Sequence, residues 1–188
     1  AVSRMLSFNA SRFDQNQLKT FEKTLEEYKN ALEYLADFPS GRHNLGIFYS
    51  STNQPDKAIK EYKEAILIDR LFYPSKINLA LLYYQQREFD LAKSLFKEII
   101  ETHPELSDGY YYLALLFGEL KQYHEAIAIL EKAILATPDN PRFYYNLGLL
   151  YQLTSQEKKC EETLLRGLKT DDHNFDILYA LFAFEAKK

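Results

Sequence analysis

Along most of the chain the apolar residues return every three or four places, the period of a half-buried helix rather than the alternation of a strand. HNLGIFY from His43, INLALLY from Ile77, YYLALLF from Tyr111 and YYNLGLLY from Tyr144 each carry this pattern. A second set of apolar runs follows each of these. Short polar segments, SSTNQPD around Asn53 and QQRE around Gln86, separate the two members of a pair. Such brief joins predict antiparallel neighbouring helices. Asn140 followed by Pro141 reads as an N-cap with proline at the first helical position.

The pattern also repeats at long range. Leu45, Leu79, Leu113 and Leu147 fall in one column at intervals of 34 residues, and the next column holds Gly46, Ala80, Ala114 and Gly148. Three places on stand Tyr49, Tyr83, Phe117 and Tyr151. The second helices keep the same phase, with Ala58, Ala92, Ala126 and Cys160, then Tyr62, Phe96, Leu130 and Leu164, then Ala65, Ile99, Ala133 and Gly167. Small residues in two of these columns let helix backbones approach closely, and the aromatic columns fill the space beside them. One pair cannot bury its apolar face alone, so the units must stack.

A 34-residue unit with Leu, a small residue, an aromatic, then Ala, an aromatic or Leu, Ala and Pro resembles the tetratricopeptide repeat, TPR. Pro104 and Pro138 stand at the expected stop of the second helix, whereas Arg70 and Asp172 replace that proline in the outer units, whose second helices are expected to end less sharply. No Trp occupies the fourth position, which holds Arg42, Lys76, Tyr110 and Tyr144. The resemblance implies an all-α solenoid of antiparallel helix pairs in a right-handed superhelix. Its units would be 39–72, 73–106, 107–140 and 141–174, with residues 1–38 as a degenerate half-repeat or cap and 175–188 as a C-terminal helix.

Both ends follow the phase. Leu18 to Leu35 reads as a second helix, with Thr24, Tyr28 and Ala31 in the buried columns, behind a first helix over Phe8 to Gln15 that carries Arg12 where a small residue is wanted. Phe175 to Lys188 reads as a first helix with Leu178, Leu181 and Phe182, and Phe182 and Phe184 are expected on an exposed apolar edge able to mediate self-association. The first residue is Ala rather than Met, so the reading expects either processing or a segment of a longer chain.

Composition narrows the function. The 188 residues carry 23 Lys and Arg against 27 Asp and Glu, a formal charge of -4, which argues against a dominant nucleic-acid or anionic-membrane role. The mixed-sign run LKTFEKTLEEYKN offers ion pairs along a helix, not a basic patch. No apolar run approaches the roughly 20 residues of a membrane span. One cysteine excludes an internal disulfide framework, and Cys160, in a small-residue column, reads as a buried thiol. His43, His103, His124 and His173 occupy four different points of the repeat, so stacking does not gather them at a metal. No cofactor motif and no Ser-His-Asp arrangement is present. The chain is therefore expected to be no enzyme.

In the tetratricopeptide family the concave face lined by the first helices usually holds an extended peptide or a partner helix. The resemblance puts His43, Ile77, Tyr111, Tyr145 and Tyr179 on that face, with Ile47, Leu81, Leu115 and Leu149 four residues later and Asn78 and Tyr84 beside them. Tyrosines suit binding because a large apolar ring ends in a hydroxyl and loses little rotamer entropy. The same rings could instead pack between adjacent first helices, and both readings stand at this stage. The positions that clamp a terminal carboxylate in one subfamily here read His43, Ile47, Asn78, Asp108 and Tyr112. Only Asn78 fits, so a chaperone-tail ligand is not expected, and the apolar lining favours a hydrophobic or amphipathic segment.

A second likeness concerns LEEYKNALEYLADFPSGRHNLGIFYSSTNQPDKA with AVSRMLSF ahead of it. It is similar to the junction where some large bacterial proteins pass into C-terminal tetratricopeptide repeats behind multihaem cytochrome c domains. This chain has no haem-binding motif, so no redox chemistry follows. The expected function is a protein-protein interaction module that binds a peptide or helix in a Tyr- and Leu-lined groove. The alternative is a structural or self-associating segment of a larger protein. Compartment stays open between the cytoplasm and, for an exported cytochrome-like parent, the periplasm.

Overall fold

The computed structural model describes residues 14–186. Among these there are ten helices and no strand: α1 (Gln15–Tyr34), α2 (Pro39–Ser51), α3 (Pro55–Ile68), α4 (Tyr73–Gln85), α5 (Phe89–Thr102), α6 (Ser107–Glu119), α7 (Tyr123–Ala136), α8 (Pro141–Leu153), α9 (Glu157–Leu168) and α10 (Phe175–Glu185). The architecture is an all-α array of helix pairs. Most of the expected Phe8–Gln15 helix, with Arg12, lies outside the described residues, as do residues 187 and 188. Two compact units divide the chain within α5, one ending at Leu95 and one starting at Phe96.

Each helix pair turns by the same device. Asn53, Arg87, Lys121 and Ser155 adopt positive φ of 59°, 63°, 58° and 57°. The next N–H then reaches back to the first helix: Gln54 to Tyr49, Glu88 to Tyr83, Gln122 to Phe117 and Gln156 to Tyr151, all at 2.8 Å. This is a Schellman C-cap, with a left-handed residue terminating the helix and its orphan carbonyls satisfied. None of the four is glycine, so each bears a steric cost of roughly 1 kcal/mol, least for Asn53.

Within residues 14–95, Leu45 and Phe48 of α2 form a small core with Leu32 of α1, and Gly46 brings α2 against the Tyr62 ring of α3. A Cβ at position 46 would overlap that ring. Arg42 ties the segments together: its Nε donates to the Ala36 carbonyl at 2.8 Å and its Nη1 to Glu61 Oε2 at 2.8 Å. The expected phase of α1 is corrected. Thr24, Tyr28 and Ala31 are exposed, and Leu32 is buried with Leu25 packed beside it. Leu25 and Leu32 offer more apolar area than Thr24 and Ala31, so the inward face lies one residue on, a turn of roughly 100° about the helix axis.

Within residues 96–186 a larger core runs through α6 to α10, with Phe143, Leu147, Leu164 and Ile177 among its buried members. Tyr144 donates to the Pro138 carbonyl at 2.8 Å and Tyr151 to Glu131 Oε1 at 2.6 Å. Gly148 and Gly167 permit close approach. An added Cβ would lie 2.5 Å from Leu164 Cδ2 in the first case and 2.6 Å from Tyr144 Cβ in the second. Helix α9 ends early, at Leu168, whereas α3 runs its full length without a following proline. The expectation for Phe184 is also corrected: it is 4% exposed and belongs to the core, while Phe182 is 70% exposed. Residues two apart on a helix point to opposite faces, so the two cannot share one edge.

Candidate functional site

Among the groove candidates of residues 14–95, His43, Asn78 and Tyr84 are engaged by their own chain. His43 Nδ1 lies 3.0 Å from the buried Ser75 Oγ, and its ring packs on Tyr62 at 5.7 Å and edge-on to Phe72 at 5.6 Å. Burial holds the His43 pKa below its ordinary value. Asn78 bonds Tyr62, whose pKa is pushed up to about 12 by burial, the Asn78 bond acting weakly the other way. Tyr84 packs on Phe89 at 5.9 Å, Ile77 and Leu81 are half-buried, and Ile47 is exposed.

Residues 96–186 present a different picture. Tyr111 and Leu115 of α6 and Leu149 of α8 border a cavity of about 270 Å³, floored by Leu130 and edged by Gly118 and Asn146. Leu115 is 40% exposed and Leu149 37%. The Tyr111 ring meets Tyr112 edge-on at 5.2 Å, and the Arg142 guanidinium lies 4.7 Å from its centroid, within cation–π range. Tyr145 packs against the core and also lines a second, polar cavity of about 490 Å³ with Asp108, Arg142 and Asp176. Tyr179 stacks on Phe175 at 6.4 Å and stands 61% exposed on α10. The structure thus brings Tyr111, Leu115 and Leu149 together at one cavity and sets Tyr145 and Tyr179 apart from it.

Sequence reasoning did not single out Gly118, Arg142, Asp176 or Asn146. Gly118 opens the apolar cavity because it bears no side chain where Ser50, Tyr84 and Gln152 stand in the other units. Asp108, Arg142 and Asp176 occupy one column at the 34-residue interval, which stacking places side by side. Comparing columns outside the buried face would have found both. Asn146 is a groove residue for a local reason: its Nδ2 donates to the Arg142 carbonyl at 2.8 Å, one turn back.

The cavity can take up an apolar side chain. Among the described residues no group of His, Cys, Asp and Glu could hold a metal ion, and Cys160 is buried. No helix among them is long and apolar enough to cross a membrane.

Models of the tetratricopeptide repeat match residues 40–70, 77–105 and 141–174, and a further TPR-repeat model matches 116–154. The chain belongs to the tetratricopeptide-repeat family. No curated protein matches its sequence. Among solved structures, this TPR chain is similar to MamA with a TM-score of 0.68 at 20% identity, over 85% of this chain and 96% of that one. It is also similar to YrrB, described as a TPR protein with an unusual peptide-binding site, with a TM-score of 0.64 at 18% identity over 87% and 84%. A third is TTC0263, a thermophilic TPR protein of Thermus thermophilus, with a TM-score of 0.58 at 19% identity over 79% and 82%. At these identities the likeness establishes the TPR fold. Family membership supports a protein-interaction module on a scaffold that is generally non-enzymatic.

Proposed function

We propose that this chain is a non-enzymatic module that binds a peptide or helix of a partner protein, against the Tyr- and Leu-lined face of its first helices. The observation that carries the reading is the apolar cavity between Tyr111, Leu115 and Leu149. Leu115 and Leu149 project from rigid helices and remain partly exposed, although burial of each would be worth roughly 1.5 to 3 kcal/mol. A side chain from another molecule removes that surface from water without rearranging the fold. Tyr111 supplies an aromatic wall already fixed by Tyr112 and Arg142, so little entropy is lost on docking.

The test is selection of peptides from a random display library on the purified chain, followed by binding to variants. Leu115→Glu and Leu149→Glu should each weaken the selected peptides by about tenfold or more while the melting temperature stays within a few degrees. Tyr111→Ala should weaken them too, with some loss of stability because the ring also packs on the core. Undiminished binding to Leu115→Glu would sink the reading.

A second reading, self-association, is favoured by one observation: Phe175, Tyr179 and Phe182 are all exposed on α10. A dimer seen by light scattering that Phe182→Glu makes monomeric would support it. A monomer at all concentrations would end it. Phe184 takes no part, being buried.

A further inference from the structure

Every residue that lines the apolar cavity has a counterpart two repeats earlier, inside the first unit. There Tyr62 stands where the cavity has Leu130 as its floor, His43 where it has Tyr111, Gly46 where it has Ala114 and Asn78 where it has Asn146. The Tyr62 ring reaches all three of its counterpart walls. It packs on His43 with centroids 5.7 Å apart, and it lies over Gly46 so closely that a Cβ there would fall 2.3 Å from its Cε1. Its hydroxyl bonds Asn78, and the residue is buried. The first unit thus closes this place with a phenol of its own.

The second unit keeps the walls and omits the ring. A leucine side chain at 130 is shorter than a tyrosine by most of the ring and lacks the hydroxyl, so the space toward Asn146 stays open. Asn146 retains the polar end of the arrangement: its Nδ2 donates to the Arg142 carbonyl at 2.8 Å, and its Oδ1 accepts no hydrogen bond among the described residues. The opening is 270 Å³, whereas an engineered apolar cavity of about 150 Å³ already admits a benzene ring. Ala114 carries the methyl that Gly46 lacks, so an entering ring sits farther out than Tyr62 does, beside Gly118, whose missing side chain leaves that path clear. An aliphatic side chain in this place would shield Asn146 Oδ1 from water without pairing it, and a charged one would lose its hydration against Leu115, Leu130 and Leu149. We propose that the bound segment anchors itself by a tyrosine, its ring over Leu130 between Tyr111 and Leu149 and its hydroxyl donating to Asn146 Oδ1. This inference deepens the groove reading above and rests on it.

Peptides panned from a random library on the full chain should be enriched in one Tyr, which synthetic copies then replace by Phe or Leu. The Phe copy should bind about fivefold more weakly than the Tyr peptide, the worth of one neutral hydrogen bond, and the Leu copy about tenfold or more. On Asn146→Ala the Tyr and Phe copies should bind within about twofold of each other, which closes a double-mutant cycle on that one bond. A second variant fills the cavity from within. Ala114→Gly with Leu130→Tyr restores the arrangement of the first unit and should weaken every selected peptide by about tenfold or more with helical content kept. A Tyr preference undiminished on Asn146→Ala would overturn this inference and leave the groove standing. Selected peptides that lack Tyr, yet lose binding on Leu115→Glu, would do the same, as would full binding to the folded Ala114→Gly, Leu130→Tyr chain. Binding indifferent to Leu115→Glu would remove the groove and this inference together.

Discussion

The same repeat positions are put to different uses in the two units. In residues 14–95, His43 and Asn78, two of the first-helix side chains that the repeat directs at the groove, are tied to Ser75 and Tyr62. In residues 96–186, Tyr111, Leu115 and Leu149 border open space. The fourth column tells a similar story. Arg42 spans to Glu61 and Ala36 in the first unit, whereas Tyr144 makes one neutral bond to Pro138 in the second. A repeat thus fixes where a side chain stands but not whether its polar end is satisfied within the chain. That depends on the side chains packed around it in the same unit.

Replacing the two members of the fourth column breaks the comparison most sharply. Arg42→Ala leaves the Glu61 carboxylate, 11% exposed, without its partner and should cost about 2 to 3 kcal/mol. The guanidinium is 30% exposed, which keeps the cost below that of a fully buried pair. Tyr144→Phe removes one neutral hydrogen bond and should cost about 1 kcal/mol. Urea melts measure both, and equal losses would contradict the distinction.

Acid should act on the first unit through His43. Its folded pKa lies below the ordinary value of 6.5, so the unfolded chain takes up the proton first. Stability is whole above about pH 6.5 and falls as pH drops through that value toward the folded pKa. Thermal melts at falling pH should show a smaller loss for His43→Gln than for the native chain. Parallel losses would remove His43 as the cause.

The smallest effect is one of sign, between two glycines of the second unit. Helix propensity alone favours Ala over Gly by about 1 kcal/mol. At Gly167 the added Cβ meets Tyr144 and Ile177, so Gly167→Ala should destabilise by about 1 to 2 kcal/mol despite propensity. At Gly118 nothing lies within 4 Å, so Gly118→Ala should stabilise by about 0.5 to 1 kcal/mol. Two changes of the same sign in melting temperature would contradict this account of the packing.

The sequence made the helical period, the 34-residue register and the small-residue columns readable, because each reflects burial, which leaves its mark on residue type. The Asn140 cap was readable for the same reason, since few residue types perform it. The places of the turns were readable but their left-handed conformation was not, because Asn53, Arg87, Lys121 and Ser155 share a backbone conformation but no side chain. Helix propensity alone is silent on the role of Gly167, which depends on Tyr144 and Ile177 in neighbouring helices. The apolar cavity escaped because it is made by a side chain that is missing at Gly118. The buried Phe184 was legible in principle from the 100° step of the helix.

The central claim is that the apolar cavity bordered by Tyr111, Leu115 and Leu149 in the second unit is the open site. Methyl and amide chemical-shift mapping with a library-selected peptide tests it most directly. The account predicts shifts concentrated at Leu115, Leu149, Tyr111 and Asn146, with Leu81, Asn78 and His43 unmoved. Shifts centred on His43, Asn78 and Leu81, with Leu115 and Leu149 silent, would contradict it.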